Sequence, residues 1–198
     1  TALTIFPSSL WERRGRPSRE DLFRRYARML PRIKARSSTS RGTYFERMIG
    51  FSGLPANGAP GSSNQLDFIL STMEQRGRKG FRVSGLQIAC FDPVRDHTRQ
   101  PRLGFPCLQQ IGLTYDRQRE ELSLNAFYPS QYIIRRAYGN YLGLAQLGAF
   151  LAHELKFTLA RLTCFISAPQ LGCSKQELKE LRLAIERHLK GGVGGEVD

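Results

Sequence analysis

The segment 140–156 constrains the fold of this chain more than any other part of its sequence. A helix built on it would carry large apolar side chains around nearly its whole circumference: Tyr141, Leu142, Leu144, Leu147, Leu151 and Leu155. Such a helix is buried, either in a protein core or in a membrane. No apolar run in the chain approaches the roughly 18–20 residues that cross a bilayer. We therefore expect a helix at the centre of a globular fold, and no membrane as partner.

Strand patterns flank this helix on both sides. Apolar and polar residues alternate over 107–116 and 121–128, which predicts a hairpin around the polar turn between them. The segments 81–91 and 158–167 predict two further strands, one before the hairpin and one after the helix. The sequence thus predicts an α+β fold in which these four strands form a mixed sheet and the helix 140–156 is buried against it.

Capping signals predict the other helices. Ser18, three residues before Asp21, predicts the start of a helix, and Pro31 is expected to end it. A short helix is expected from about Asn64. The pattern Ser174-x-x-Glu177 is a capping box, which predicts a C-terminal amphipathic helix.

Positive charge is concentrated near the N-terminus. The formal net charge is +13, arginine (24) far outnumbers lysine (6), and residues 1–47 hold eleven arginines and one lysine against four acids. We divide the chain into a basic N-terminal arm or helix (1–40), a core (41–189) and a disordered tail (190–198). The basic segment 1–47 is a candidate contact for a polyanion. A GC-rich genome, a solvated helix face or docking on an acidic surface elsewhere in a longer protein would explain the same arginines.

The four cysteines are spaced without any Cys-x-x-Cys pattern, at positions 90, 107, 164 and 173. This spacing excludes a zinc knuckle and a dithiol redox motif, and we predict no metal site. A disulfide scaffold is not expected in a domain of this size, and the N-terminus does not have the pattern of a signal peptide. A reducing cytoplasm is the expected location.

One long run in the second half of the chain resembles the core of thymidylate synthases. The run is PCLQQIGLTYDRQREELSLNAFYPSQYIIRRAYGNYLGLAQLGAFLAHE. As in that family, a Pro-Cys opens a strand, a hairpin follows, and a serine precedes by ten residues an asparagine near the start of the central helix. Upstream, Arg41-Gly42-Thr43-Tyr44, Asn64-Gln65-Leu66 and Phe91-Asp92-Pro93 occur in the family's order. The resemblance covers about 41–189 and is strongest over 105–157.

The resemblance implies a thymidylate synthase-like fold, a homodimer and a reaction at C5 of a pyrimidine nucleotide. Cys107 would be the catalytic thiolate that adds to C6 of the base, and 5,10-methylenetetrahydrofolate would carry the one-carbon unit. Asn140 would bind the O4 and N3 edge of the pyrimidine, Ser130 would contact the phosphate, and Tyr44 would line the site. A nucleophile of this kind works as thiolate, so we expect Cys107 to be the low-pKa thiol of the four.

Several positions depart from the family. The arginine expected before Ser130 is Pro129, and the folate-contacting aspartate is Tyr132. Arg135 and Arg136 are candidate replacements for the lost phosphate ligands. Other residues stand where the family has an arginine pair, a glutamate and a His-x-Tyr, namely Ser84-Gly85 (with Arg82 nearby), Ser8, and Gln170 with Gly172.

These observations support three hypotheses. In the first, the chain is a divergent transferase that adds a methyl or hydroxymethyl group to C5 of a pyrimidine nucleotide. In the second, it is catalytically degenerate and binds nucleotide for regulation, and in the third it binds nucleic acid or acts as a scaffold. Each candidate residue also has a structural alternative: a packed Cys107, a helix-capping Asn140, a turn hydroxyl at Ser130, a core-packing Tyr44, and solvated arginines at 135 and 136.

Overall fold

A computed structural model describes residues 1–12, 15–36, 39, 41–53, 61–75, 82–97 and 106–191. Its helices are α1 (Ala2–Ile5), α2 (Ser8–Glu12), α3 (Arg19–Lys34), α4 (Tyr44–Ile49), α5 (Gln65–Gln75), α6 (Pro93–Asp96), α7 (Tyr138–Leu155) and α8 (Lys175–Gly191). Its strands are β1 (Phe51–Gly53), β2 (Gly61–Ser63), β3 (Gln87–Ala89), β4 (Gln110–Asp116), β5 (Glu121–Tyr132) and β6 (Thr158–Gln170). The predicted mixed α+β architecture is confirmed.

The main sheet has the strand order β3-β4-β5-β6. The pairs β3–β4 and β4–β5 are antiparallel, and β5–β6 is parallel. A parallel pair needs a crossover connection, and α7 provides it after a π-helical turn over Ile133–Ala137. Leu122, Leu124, Ala126 and Tyr128 alternate along β5 on the buried face of the sheet.

Helix α7 packs against this buried face, as its composition predicts. Gly143 and Gly148 make the packing possible, because each lies where a side chain would collide. A Cβ on Gly143 would lie 2.8 Å from the carbonyl oxygen of Ala2 in α1, and one on Gly148 would lie 2.8 Å from Leu159 of β6. The helix therefore touches β6 on one side and α1 on another.

An aromatic cluster joins the N-terminal helices to the core. Phe6 packs within 6 Å of three other rings, those of Trp11, Phe45 and Phe150. Tyr26 of α3 lies 4.8 Å from Phe45, centroid to centroid. Parts of the predicted arm 1–40 thus share one core with the segment 41–189. Arg13 and Arg14, and residues 192–198 of the predicted tail, lie outside the described residues.

Three local predictions need correction. Pro31 does not end α3, which continues to Lys34, because a proline in the last turn still accepts hydrogen bonds: Ala35 N donates to its carbonyl oxygen over 3.1 Å. The strand predicted over 81–91 is only β3, because Val83–Gly85 forms a 3₁₀ turn. Asn140 does not cap α7, since it lies inside the first turn and is 3% exposed.

The other capping predictions are confirmed. Ser18 Oγ accepts a hydrogen bond from Asp21 N. The short helix expected from about Asn64 is α5, and the structure adds a cap that was not predicted, since Asn64 Oδ1 accepts a hydrogen bond from Asp67 N. At α8 the capping box is reciprocal: Glu177 N donates to Ser174 Oγ over 3.2 Å, and Ser174 N donates to Glu177 Oε2 over 2.7 Å. Within the described ranges, no helix is both long enough and apolar enough to span a bilayer.

Candidate functional site

Tyr44 and Cys107, which are 63 residues apart in the sequence, meet directly in the structure. The phenol oxygen of Tyr44 accepts a hydrogen bond from Cys107 N over 3.0 Å and a second from Leu108 N over 3.3 Å. Leu108 is fully buried, whereas Cys107 is exposed. The Tyr44 hydroxyl therefore holds the backbone of Cys107 in place by hydrogen bonds, and the structure brings the candidate residues Tyr44 and Cys107 into contact.

A capping box places Tyr44 at the start of α4. Thr43 Oγ1 accepts a hydrogen bond from Glu46 N, while the Glu46 carboxylate accepts one from Thr43 N. Both groups satisfy backbone donors that a helix start leaves open. The capping box fixes the start of α4, so Tyr44 is the first residue of that helix.

A buried ion pair then holds α4 against the sheet. Arg47 donates from both terminal nitrogens to the Asp96 carboxylate, over 2.6 and 2.7 Å, and from Nη1 to the carbonyl oxygen of Cys90 over 2.7 Å. The two side chains are only 8% and 3% exposed. Gln65 reinforces the same joint, since its Nε2 donates to the carbonyl oxygens of Arg47 and Ala89 and its Oε1 accepts from Ala89 N.

The electrostatic surroundings of Cys107 differ from the expectation of a low-pKa thiol. Partial burial of the sulfur raises the pKa of Cys107, and the positive charge of Arg136 acts in the opposite direction. Burial raises the pKa of Cys90 to about 12 and that of Cys164 to about 11. The expected lowering at Cys107 is therefore wrong, because one nearby guanidinium does not offset the loss of water around the sulfur.

The phenol of Tyr44 responds to the same surroundings. Burial, together with the negative charge that Cys107 carries as a thiolate, raises the pKa of Tyr44 to about 12. The Tyr44 hydroxyl is therefore neutral at physiological pH and serves as an acceptor for the two backbone amides, rather than as a proton donor of ordinary acidity.

The guanidinium of Arg136 is the positive charge that opposes the rise in the pKa of Cys107. Arg136 lies on the π-helical turn, four residues before the buried Asn140, and its Nη1 donates to Thr1 Oγ1 over 3.3 Å. Arg135 points to a different partner, because its Nη2 pairs with Glu177 Oε1 of α8 over 3.0 Å. The structure thus separates the two arginines, and only Arg136 acts on the thiol.

No hydrogen bond among the described residues joins the remaining predicted positions to Tyr44 or Cys107, but Tyr132 pairs with Gln170 of β6 and lies against Gly172. Ser130 is half-buried in β5, where it pairs with Ala168 of β6. Tyr132 is 47% exposed, and Ser8 is buried in α2. No group of three histidine, cysteine or acidic side chains suited to a metal ion was found among the described residues.

Sequence reasoning missed several residues around the thiol. Arg47 and Asp96 have no local pattern that pairs them across 49 positions. Tyr128 is fully buried, and its hydroxyl has no hydrogen-bond partner within the described structure. Burial raises the pKa of Tyr128, and charges on Tyr44, Cys164, Cys90 and Cys107 would raise it further. The alternation that predicts β5 also predicts an inward-facing Tyr128, but not its missing partner.

Comparison with known proteins does not assign a family. No model of a protein family matches the chain, and no curated protein is significantly similar to it.

Proposed function

We propose that this chain is a thymidylate synthase-like transferase that adds a one-carbon unit to C5 of a pyrimidine nucleotide through the thiolate of Cys107. The contact between Tyr44 and the backbone of Cys107 carries the proposal. Both residues were selected from the resemblance alone, in segments far apart, and they lie against each other. Asn140, buried at the start of α7, and Arg136, which acts on the thiol, support it.

Transfer to C5 requires a group that acts first as a nucleophile at C6 and later as a leaving group from C6. The Cys107 thiolate would add to C6 of the base, and the C5=C6 electron pair would form a bond from C5 to an electrophilic one-carbon unit. The bond between that unit and its carrier would break, and its electron pair would remain on the carrier. Loss of the C5 proton and departure of the thiolate from C6 would then restore the double bond. Because burial raises the pKa of Cys107, the thiolate is a minority species at neutral pH.

The described residues do not match a folate site. The position that the resemblance assigns to a folate-contacting aspartate holds Tyr132, which is 47% exposed and has no carboxylate. We therefore assign no step to the folate and leave 5,10-methylenetetrahydrofolate as a donor to be tested. Four free cysteines, with Cys107 exposed, favour a reducing location such as the cytoplasm.

Covalent trapping tests the proposal. A 5-fluoropyrimidine nucleotide has no C5 proton to lose, so its adduct should persist on the Cys107 peptide and be visible by mass spectrometry. The reaction should be run with and without methylenetetrahydrofolate, for uridine and cytidine nucleotides in ribo and deoxyribo forms. We expect an adduct in the intact chain and none in Cys107→Ser.

Cys164→Ser is the matched control, because burial raises the pKa of the Cys164 thiol without an opposing cation. It should retain the adduct. If no pyrimidine nucleotide forms an adduct or slows alkylation of Cys107 by iodoacetamide, the proposed function is wrong.

The homodimer implied by the resemblance is part of the proposal. The outer face of the sheet carries Phe165, which is 64% exposed and stacks on Phe127 with ring centroids 5.8 Å apart. A second copy packed on this face would cover both rings. Light scattering after size exclusion should give the mass of a dimer, and Phe165→Asp should convert it to a monomer. A monomer at micromolar concentration in the unsubstituted chain would contradict the dimer.

A second candidate function rests on α3. Arg24, Arg28 and Arg32 are exposed on this helix at four-residue spacing, which offsets successive residues by about 6 Å along its axis, and the exposed Arg36 follows two residues after the helix ends. Within the described part of the chain, no ion pair involves Arg28, Arg32 or Arg36. This stripe is suited to the phosphates of a nucleic acid.

Salt dependence tests the second candidate. Affinity for duplex DNA should fall steeply between about 50 and 200 mM salt, and Arg28→Gln with Arg32→Gln should reduce the slope of log K against log salt by roughly two. The control Arg182→Gln removes an exposed arginine of α8. Binding that changes little with salt would refute a phosphate contact.

A further inference from the structure

The hydroxyl of Tyr128 is a buried polar group without a partner next to the candidate site. Tyr128 is 0% exposed, and its phenol oxygen makes no hydrogen bond in the described structure. An unpaired buried hydroxyl destabilises a fold relative to a paired one, because the group loses its hydrogen bonds to water and gains none in exchange. Such a group in a native protein calls for a specific explanation.

The backbone of Tyr128 lies on the strand that runs beside the thiol segment. Gln109 N donates to the carbonyl oxygen of Phe127 over 3.0 Å, so the chain leading back to Leu108 and Cys107 runs alongside Tyr128. Tyr44, whose hydroxyl lies on the amides of Cys107 and Leu108, is also close enough for its charge to influence the Tyr128 phenol. The unpaired donor therefore belongs to the same cluster as the nucleophile.

We propose that Tyr128 is a ligand-binding residue whose hydroxyl donates a hydrogen bond to a carbonyl oxygen of the pyrimidine base. This inference rests on the proposed function. A phenol that stays neutral is suited to this role, since it donates to a neutral carbonyl without adding charge. The base would supply the acceptor that the described residues do not.

The free protein and its complex should respond to Tyr128→Phe in opposite directions. Removing the hydroxyl keeps the ring in the core and removes an unpaired polar atom, so the melting temperature should stay unchanged or rise. The same change leaves a base carbonyl unpaired in the complex, so the apparent Kd for the nucleotide should rise about tenfold. The Kd is measured as protection of Cys107 from iodoacetamide by deoxyuridine monophosphate.

Tyr26→Phe is the matched control. Tyr26 is an equally buried tyrosine of the same core, but its hydroxyl is hydrogen-bonded to Thr43 Oγ1. Tyr26→Phe should lower the melting temperature. It should leave the nucleotide affinity much less affected than Tyr128→Phe does.

Thio-substituted nucleotides identify the acceptor. Sulfur accepts hydrogen bonds more weakly than oxygen, so replacing the recognised carbonyl oxygen should weaken binding to the unsubstituted chain but not to Tyr128→Phe. Deoxyuridine monophosphates carrying sulfur at position 2 or at position 4 should therefore differ, and only one of them should show this coupling.

Three results would overturn the inference. If Tyr128→Phe lowers the melting temperature as Tyr26→Phe does, the hydroxyl has a structural partner such as a buried water. If Tyr128→Phe leaves protection by the nucleotide unchanged, Tyr128 is not a ligand, and the proposed function survives. If no pyrimidine protects Cys107 in the unsubstituted chain, both fail.

Discussion

Replacing Asp96 by asparagine should destabilise the protein strongly, because it removes the charge that compensates a buried arginine. Arg47 is only 8% exposed and directs both terminal nitrogens at the Asp96 carboxylate. The asparagine side chain would retain one acceptor oxygen but no negative charge. Breaking a buried pair by removing one partner destabilises by about 3–5 kcal/mol. In a domain of this size, each kcal/mol lowers the melting temperature by roughly 2–4 °C, so a fall of about 6–20 °C is expected.

Thermal unfolding followed by circular dichroism measures this fall, with Glu177→Gln as the control. Glu177 also pairs with an arginine, but both side chains are more than half exposed, so its replacement should change the melting temperature little. The double variant Arg47→Met with Asp96→Leu separates uncompensated charge from lost packing. It should be more stable than Asp96→Asn, since no buried charge remains. If the double variant is the less stable of the two, or if Asp96→Asn behaves like the surface control, the reasoning fails.

Three further predictions concern the acid stability of the Arg47–Asp96 pair, the packing of α7 on α1 and the reactivity of Cys107. Burial acts to raise the pKa of Asp96, but the Arg47 guanidinium and the Asp92 amide hold that pKa below its usual range. The Arg47–Asp96 pair should therefore contribute its full stability above about pH 4 and lose it as the pH falls through the lowered pKa of the folded state. Acid titration of Asp96→Asn should lack this component. Gly143→Ala should destabilise by about 1–3 kcal/mol in urea unfolding, because its methyl group would collide with the backbone of α1, and an unchanged midpoint would contradict the close approach. The rate of Cys107 alkylation should keep rising above pH 8, since burial raises the pKa of its thiol; a plateau below pH 7 would indicate a low-pKa thiol instead.

The parts of the fold that were predictable are those in which a local pattern and burial agree. The central helix is apolar nearly all round and lies in the core, and the two halves of the hairpin alternate as β4 and β5 do. The strand predicted over 81–91 was too long because its apolar residues are interrupted at Ser84-Gly85, where the chain turns instead of pairing. The helix runs past Pro31 to Lys34 because the proline, which lacks a donor, still offers its carbonyl oxygen to Ala35 N.

The candidate site was predictable only as a set of residues, and its geometry was not. Cys107 and Tyr44 could be selected by resemblance, but the bond between them depends on a phenol reaching two backbone amides across 63 positions. The residues that make this reach possible are Arg47 and Asp96, which hold α4 in place and belong to no motif. Long-range polar contacts of this kind leave no period in a sequence, because each partner is a single residue. The resemblance proposes the thiol as a nucleophile, whereas the buried ion pair and the unpaired hydroxyl of Tyr128 come to light only in the folded chain.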